Sequence, residues 1–280
     1  MKAAIEFARR YARNRAALLG LVLLTIVVGM AISAPIVFPE DPWEMVGRPL
    51  MRPGDDPQFW LGTDTLGRDV AAGIFHGARV SLLIGVVATV VSVVIGTLIG
   101  AVAGYFGGWI DDVLSRLSEI FPTMPFFVFA LVVVAIIGPS VGTIVFAIGI
   151  VTWPPVARLV RGEFIALRSR EFVEACVGMG MGDIRIIFRQ ILPNATAPVI
   201  VTTSIKVATA ILTESSLSFL GLGDPNVISW GTMIGGARDM LRTATYLTAI
   251  PGIAILVTVM ALNLVGEGLN DALNPRMRRR

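Results

Sequence analysis

Lys206 and Glu214 are the two ionisable side chains inside, or at the edge of, an otherwise uncharged run that begins after Arg189. A charge in the hydrocarbon of a bilayer is costly, so residues of this kind read first as functional. Eight positions apart, they fall about two turns from each other on roughly one side of a helix. Both can then face a path through the membrane and meet the charged ends of a peptide. A packing reading stands beside this one: Glu214 sits near a membrane boundary, Lys206 snorkels to the interface, and either pairs with a neighbouring subunit. Covalent and metal chemistry are poorly supplied. The chain has one histidine, His76, and one cysteine, Cys176. That excludes an internal disulfide and leaves no ligand set for zinc or an iron–sulfur centre. His76 reads as a membrane-surface side chain, and no GxxxxGK[ST] run is present to cradle nucleotide phosphates.

The elements that must position these residues are membrane spans. Hydrophobic residues make up 55% of the 280 and charged residues 15%, the composition of an integral membrane protein. Uncharged runs cover 16–39, 80–110, 120–157 and 243–266, each reaching the ~20 residues a spanning helix needs. The third is far too long for one crossing of a ~30 Å core, and Gly138-Pro139-Ser140 divides it. With the run that holds Lys206, this predicts an all-α membrane protein of six transmembrane helices.

Alternate loops then share a side, and 16 of the 23 basic residues fall on the side of the two termini. Excess positive charge marks the cytoplasmic side, so both termini are expected there. The net charge of +3 reflects this topology and calls for no nucleic acid. A basic start, an apolar run and Ala31-Ile32-Ser33 loosely imitate a secretory signal. The run is longer than the ~7–15 residues of such cores, so it is read as a retained first span over 16–38.

Segment 39–79 is an extracytoplasmic loop rich in Pro, Asp and Gly. Val70, Ile74 and Ala78 recur near its end at helical spacing and predict a short interfacial helix feeding the second span. On that span Gly96, Gly100 and Gly104 have the small-x-x-x-small spacing that lets another helix approach closely. Pro122, Pro125, Pro154 and Pro155 are expected near the ends of the third and fourth spans, where they act as hinges or simply end helices.

One cytoplasmic loop, 168–193, breaks the apolar pattern. Phe172, Ala175, Cys176 and Met179 stand at i, i+3, i+4 and i+7, one apolar stripe of a short helix with Glu171 and Glu174 off it. Gly178, Gly180 and Gly182 interrupt the helix, and Asp183 is placed to cap a second one carrying Ile184, Ile187, Phe188 and Ile191. Arg185 and Arg189 line its other face. Two readings stay open. The pair lies flat on the lipid or folds back on its own bundle, or the bend inserts as a knob into a groove on a soluble partner.

Glu174-Ala175, Gly180 and Leu192-Pro193 resemble the E-A-A, G, L-P signature of permease subunits of ATP-binding-cassette importers. Around them GTDTLGRD at 62–69, GARVSLLIG at 77–85, AGYFGGWID at 103–111, LSFLGLG at 217–223, SWG at 229–231 and LNDALNPR at 269–276 are similar to the C-type permease of dipeptide and oligopeptide systems. Cys176 stands where the family usually has a second alanine, Gly178 where a better helix former is common, and Pro155 follows Pro154 where glycine is frequent. The resemblance implies a type I importer core over 80–266, preceded by a tail at 1–15 and followed by one at 267–280, both cytoplasmic. It implies that the loop couples an ATPase subunit to the spans, with Glu174 accepting backbone N–H groups to hold the bend and Pro193 tying it stiffly to the fifth helix.

The implied partners are a second homologous permease, two ATPases that use ATP and Mg, and an extracytoplasmic solute-binding protein, in a bacterial or archaeal plasma membrane. No cofactor is expected on this chain. The implied cargo is short peptides, with nickel complexes or glutathione as the alternative. An ion-gradient transporter would need several buried acids where only Lys206 and Glu214 are found, and an enzyme would need a cluster that His76 and Cys176 alone do not make.

Overall fold

The computed structural model describes residues 11–273. Of the basic residues used for orientation, Lys2, Arg9, Arg10, Arg276, Arg278, Arg279 and Arg280 lie outside the described residues. Helix α1 spans Arg15–Val37, with Asn14 as its cap: the side chain accepts from the Ala17 N–H at 3.1 Å and donates to Asp271 Oδ2 at 2.9 Å. Helix α2 is Val70–Phe106, a single helix of 37 residues. The stretch expected to stand apart as an interfacial helix is therefore its first turns. No proline interrupts 70–80, and the Asp69 carboxylate accepts from the Ala71 N–H, which starts the helix there.

The third span is broken. Helices α3 (Gly108–Ile120) and α4 (Phe126–Ile137) are bent 83° from each other across a 3-10 turn at Phe121–Thr123. Pro122 and Pro125 each remove a donor and forbid a regular helix through the turn. Gly138 ends α4, and Ser140 caps α5 (Val141–Arg168) by accepting from the Thr143 N–H at 3.1 Å, as the division at 138–140 predicted. Helix α5 runs well past 157, so Pro154 and Pro155 sit inside it and not near its end. Among the described residues five helices are long and apolar enough to cross a bilayer, and the bent pair brings the number to the expected six when it is taken as one span.

The loop contributes α6 (Glu171–Gly178) and α7 (Asp183–Ile186), which passes through a π-helical turn at 187–191 directly into α8 (Leu192–Leu217). A second π-helical turn at 218–222, α9 (Trp230–Gly236) and α10 (Tyr246–Leu273) complete the chain. No strand occurs among the described residues.

Helices α2 and α5 form the central crossing, and their approach depends on the glycine row. A Cβ at Gly100 would collide with the Ala157 carbonyl, and one at Gly104 would meet Phe164 Cβ at 2.7 Å. One apolar cluster gathers Ile74, Ile211, Trp230 and Leu247 at the end of the bundle opposite the loop. Another gathers Tyr105, Phe164, Val173, Cys176, Ile186 and Ile191 beneath the loop.

Candidate functional site

The loop is pinned by one side of each short helix. Val173, Cys176, Ile186, Ile187 and Ile191 are buried against α2 and α5. Burying each larger one contributes roughly 1.5–3 kcal/mol in the water-facing part of the molecule. The stripes predicted from spacing therefore divide. Cys176, Ile187 and Ile191 face the bundle, whereas Phe172, Ala175, Met179, Ile184 and Phe188 are exposed. Val173 and Ile186, absent from the predicted stripes, take the inner positions: α6 turns its Val173–Cys176 side to the bundle, and the π-helical turn at 187–191 shifts the register so that Ile186, Ile187 and Ile191 are buried together. What remains outside is an apolar face, with Met179 and Ile184 each 74% exposed, bordered by Arg170, Glu171, Glu174, Arg185 and Arg189.

The bend is built by the backbone. Gly180 has φ +76°, a conformation that costs other L-residues about 1–2 kcal/mol. Its N–H donates to the Val177 carbonyl at 2.9 Å, and the Met181 N–H donates to the Cys176 carbonyl at 3.0 Å. These are the paired bonds of a Schellman termination, and Met181 packs into the same cluster as Cys176. Glu174 was expected to hold the bend by accepting N–H groups. Among the described residues its carboxylate accepts no hydrogen bond, because the glycine termination has already satisfied the free backbone groups.

Asp183 was expected to cap the second helix. Gly182 occupies the cap position, and the Asp183 carboxylate instead accepts from the Tyr105 hydroxyl at 2.7 Å. The Arg168 guanidinium lies 5.5 Å from the centre of the Tyr105 ring. Tyr105 thus joins the last turn of α2 to the loop, a role with no signal in the sequence because 78 residues separate the partners. Arg161 and Asp111 form a two-point ion pair that holds α3 against α5. Leu192 donates to the Ile187 carbonyl in the π-helical turn, one position before Pro193. The extra residue in that turn accommodates the missing proline N–H, so loop and fifth span form one continuous helical rod.

Lys206 and Glu214 share α8 but not an environment. The Lys206 ammonium, half-buried, donates to the Thr152 carbonyl at 2.6 Å. The next residue, Trp153, packs edge-on to Phe121 at 5.2 Å, and Pro154-Pro155 follow. The ammonium is thus held to the stretch of α5 that carries Trp153 and the two prolines. Glu214 is 1% exposed. It accepts from the hydroxyls of Ser218 at 2.8 Å, Ser229 at 2.6 Å and Ser215 at 3.3 Å. These bonds fasten the segment after α8 to α9. No cluster of potential metal ligands occurs among the described residues.

Residues 96–279 match the family described as binding-protein-dependent transport system inner membrane component, and residues 4–51 match the N-terminal TM domain of oligopeptide transport permease C. The dipeptide transport system permease protein DppC of Alkalihalophilus pseudofirmus is 39% identical over 274 residues, covering 98% of this chain and 90% of the relative. The di/tripeptide permease DppC of Pseudomonas aeruginosa is 40% identical, covering 98% and 92%. The glutathione transport system permease GsiD of Pectobacterium atrosepticum is 36% identical, covering 98% and 90%. Among solved structures, the MetNI methionine ABC transporter in inward-facing conformations matches with a TM-score of 0.58 at 18% identity, over 72% of this chain and 96% of that one.

Proposed function

Because this chain belongs to the family of binding-protein-dependent transport system inner membrane components, and is thereby a non-catalytic, multi-pass subunit of an ABC importer in the inner membrane, we propose that it forms half of a pathway for short peptides. The fold is that of type I importer permeases. Its machine includes an ATPase and a substrate-binding protein. The finer reading adds a second, related permease as the other half and two ATPase subunits that bind ATP and Mg on the cytoplasmic side. The absence of a GxxxxGK[ST] run supports that division of labour.

The single observation that carries the reading is the exposed apolar face of the loop, held by Gly180 and continuous through α7 with the fifth span. A force applied to Met179, Ile184 and Phe188 by a closing ATPase pair is delivered to α8 without a flexible joint. In this reading the loop and both termini are cytoplasmic, in a bacterial or archaeal membrane, with Phe172, Glu174, Ala175, Met179 and Gly180 at the ATPase contact and Cys176, Asp183, Leu192 and Pro193 supporting it from behind.

Lys206 lines the path. Irregular backbone at membrane depth is tolerated only against protein or water, and the exposed break at Pro122–Pro125 beside Trp153 supports placing the path there. Glu214 is read as a structural clamp. Dipeptide and glutathione relatives share one chemical class, a short peptide with free charged ends, so glutathione stands as a second cargo.

The test is reconstitution of the assembled transporter in proteoliposomes with its binding protein. ATP-dependent uptake of a labelled dipeptide, with ATP hydrolysis uncoupled from uptake in Gly180→Asp, is the expected result. Uptake at the wild-type rate in Gly180→Asp would remove the coupling role.

A further inference from the structure

The GTDTLGRD stretch at 62–69 is one of the motifs that the transport reading leaves without a task. Most of it holds a platform together at the end of the molecule opposite the loop. Thr63 is fully buried, and its hydroxyl donates to the Arg48 carbonyl and accepts from the Met51 N–H at 3.0 Å. Its own carbonyl accepts from the Tyr246 hydroxyl at 2.7 Å, which ties the platform to α10. Asp64 accepts from the N–H groups of Leu66 and Arg68 through one oxygen, and Asp69 caps α2 through one of its own.

Arg68 has no such employment. Its guanidinium stacks 4.5 Å from the centre of the Trp43 ring, yet among the described residues the side chain donates no hydrogen bond. The nearest carboxylate oxygen, Asp64 Oδ2, is 3.9 Å from Nε, and Nε is buried without a partner. A buried guanidinium nitrogen without a hydrogen-bond partner is costly, and Arg68 keeps one at Nε in a side chain only 22% exposed. Arg68, Asp64 and Asp69 all line one cavity of about 240 Å³, whose other wall is apolar: Val70, Met233 and Leu247.

We propose that this cavity is a second binding site for a short peptide with free ends, outside the membrane path: the carboxylate on the Arg68 guanidinium, the ammonium on the carboxylates of Asp64 and Asp69, and an apolar side chain on Val70, Met233 and Leu247. A planar guanidinium fork matches a carboxylate. Two carboxylates with one guanidinium select a zwitterion over a simple anion, and an apolar wall with a few convergent polar groups is the usual form of a small-molecule site. The inference rests on the peptide reading of the transporter.

The test is calorimetric titration of the assembled transporter in lipid nanodiscs, without its binding protein, using alanyl-leucine, its C-terminal amide and its N-acetyl form. Arg68→Gln is expected to weaken alanyl-leucine binding by about tenfold or more, and the amide is expected to lose the same factor on the wild type but nothing further on the variant. Gly236→Leu fills the cavity from a position where an added side chain meets nothing within 4 Å, so it removes binding without touching the platform and decides the matter if Arg68→Gln fails to assemble. Unchanged affinity in Gly236→Leu, or equal binding of peptide and amide, overturns the proposal. So does unchanged alanyl-leucine affinity in Arg68→Gln when a separate titration of the binding protein onto the same nanodiscs loses docking, which makes the cavity a contact for an acidic side chain of that protein. A wild-type preparation that imports alanyl-leucine with ATP keeps the transport reading intact under any of those results, and one that imports no peptide sinks that reading by itself.

Discussion

Gly180 and Tyr105 hold the loop in different ways, and substitution separates them. Gly180 is exposed with open space around its α-carbon, so Gly180→Ala introduces no clash and costs only the left-handed backbone term, about 1 kcal/mol. Membrane insertion and yield are expected to stay unchanged while peptide uptake per ATP falls, measured in proteoliposomes. Tyr105→Phe removes the bond to Asp183 and leaves the ring on Arg168. Its expected cost is about 0.5–1.5 kcal/mol, localised to the junction of α2 and the loop. Faster hydrogen exchange in 171–186 with the rest of the bundle unchanged is the matching observation. An unaltered exchange pattern would assign that bond no role in holding the loop.

At the scale of elements, the α2–α5 crossing is set by the absence of side chains. Gly100→Leu would drive a branched side chain into the Ala157 carbonyl and Val160, and overpacking of this kind typically costs about 1–3 kcal/mol or more. The melting temperature in detergent is expected to drop clearly. Gly29→Leu, where an added Cβ meets nothing within 4 Å, is the matched control and should leave it in place. The start of α5 has a pH-sensitive support. Burial pushes the Asp224 carboxyl up, but the N–H groups of Asn226 and Val141 outweigh it and hold its pKa below the usual carboxylate range. A depressed folded-state pKa stabilises above the ordinary value and loses that contribution as pH falls through the folded one. Asp224→Ala should therefore lower stability at neutral pH, with the gap from wild type closing in acid.

For the whole molecule, the break at 121–125 distinguishes a path from a merely kinked helix. In a Cys176→Ala background, Thr123→Cys within the assembled transporter is expected to react with a membrane-impermeant maleimide, and Leu98→Cys, exposed on a regular stretch of α2, is not. Equal inertness of both positions would place the break against the second permease and remove it from the path.

The span count, the turn at Gly138-Pro139-Ser140, the glycine row and the existence of a bent amphipathic loop were legible in the sequence, because each follows from local composition: apolar length, missing side chains, missing donors. Which side of each short helix faces inward was not. Val173 and Ile186 are buried while Phe172 and Ile184 are exposed, and that choice depends on the cluster with Tyr105 and Phe164 that only folding assembles. Nor were the long-range partnerships: Tyr105 with Asp183, Lys206 with the Thr152 carbonyl, Glu214 with Ser229, and Arg68 with the Trp43 ring. A polar group buried by folding must find its partner among whatever the fold brings near it. That choice belongs to tertiary structure, whereas the cost of leaving the membrane interior polar is written in every residue and is readable from the chain alone.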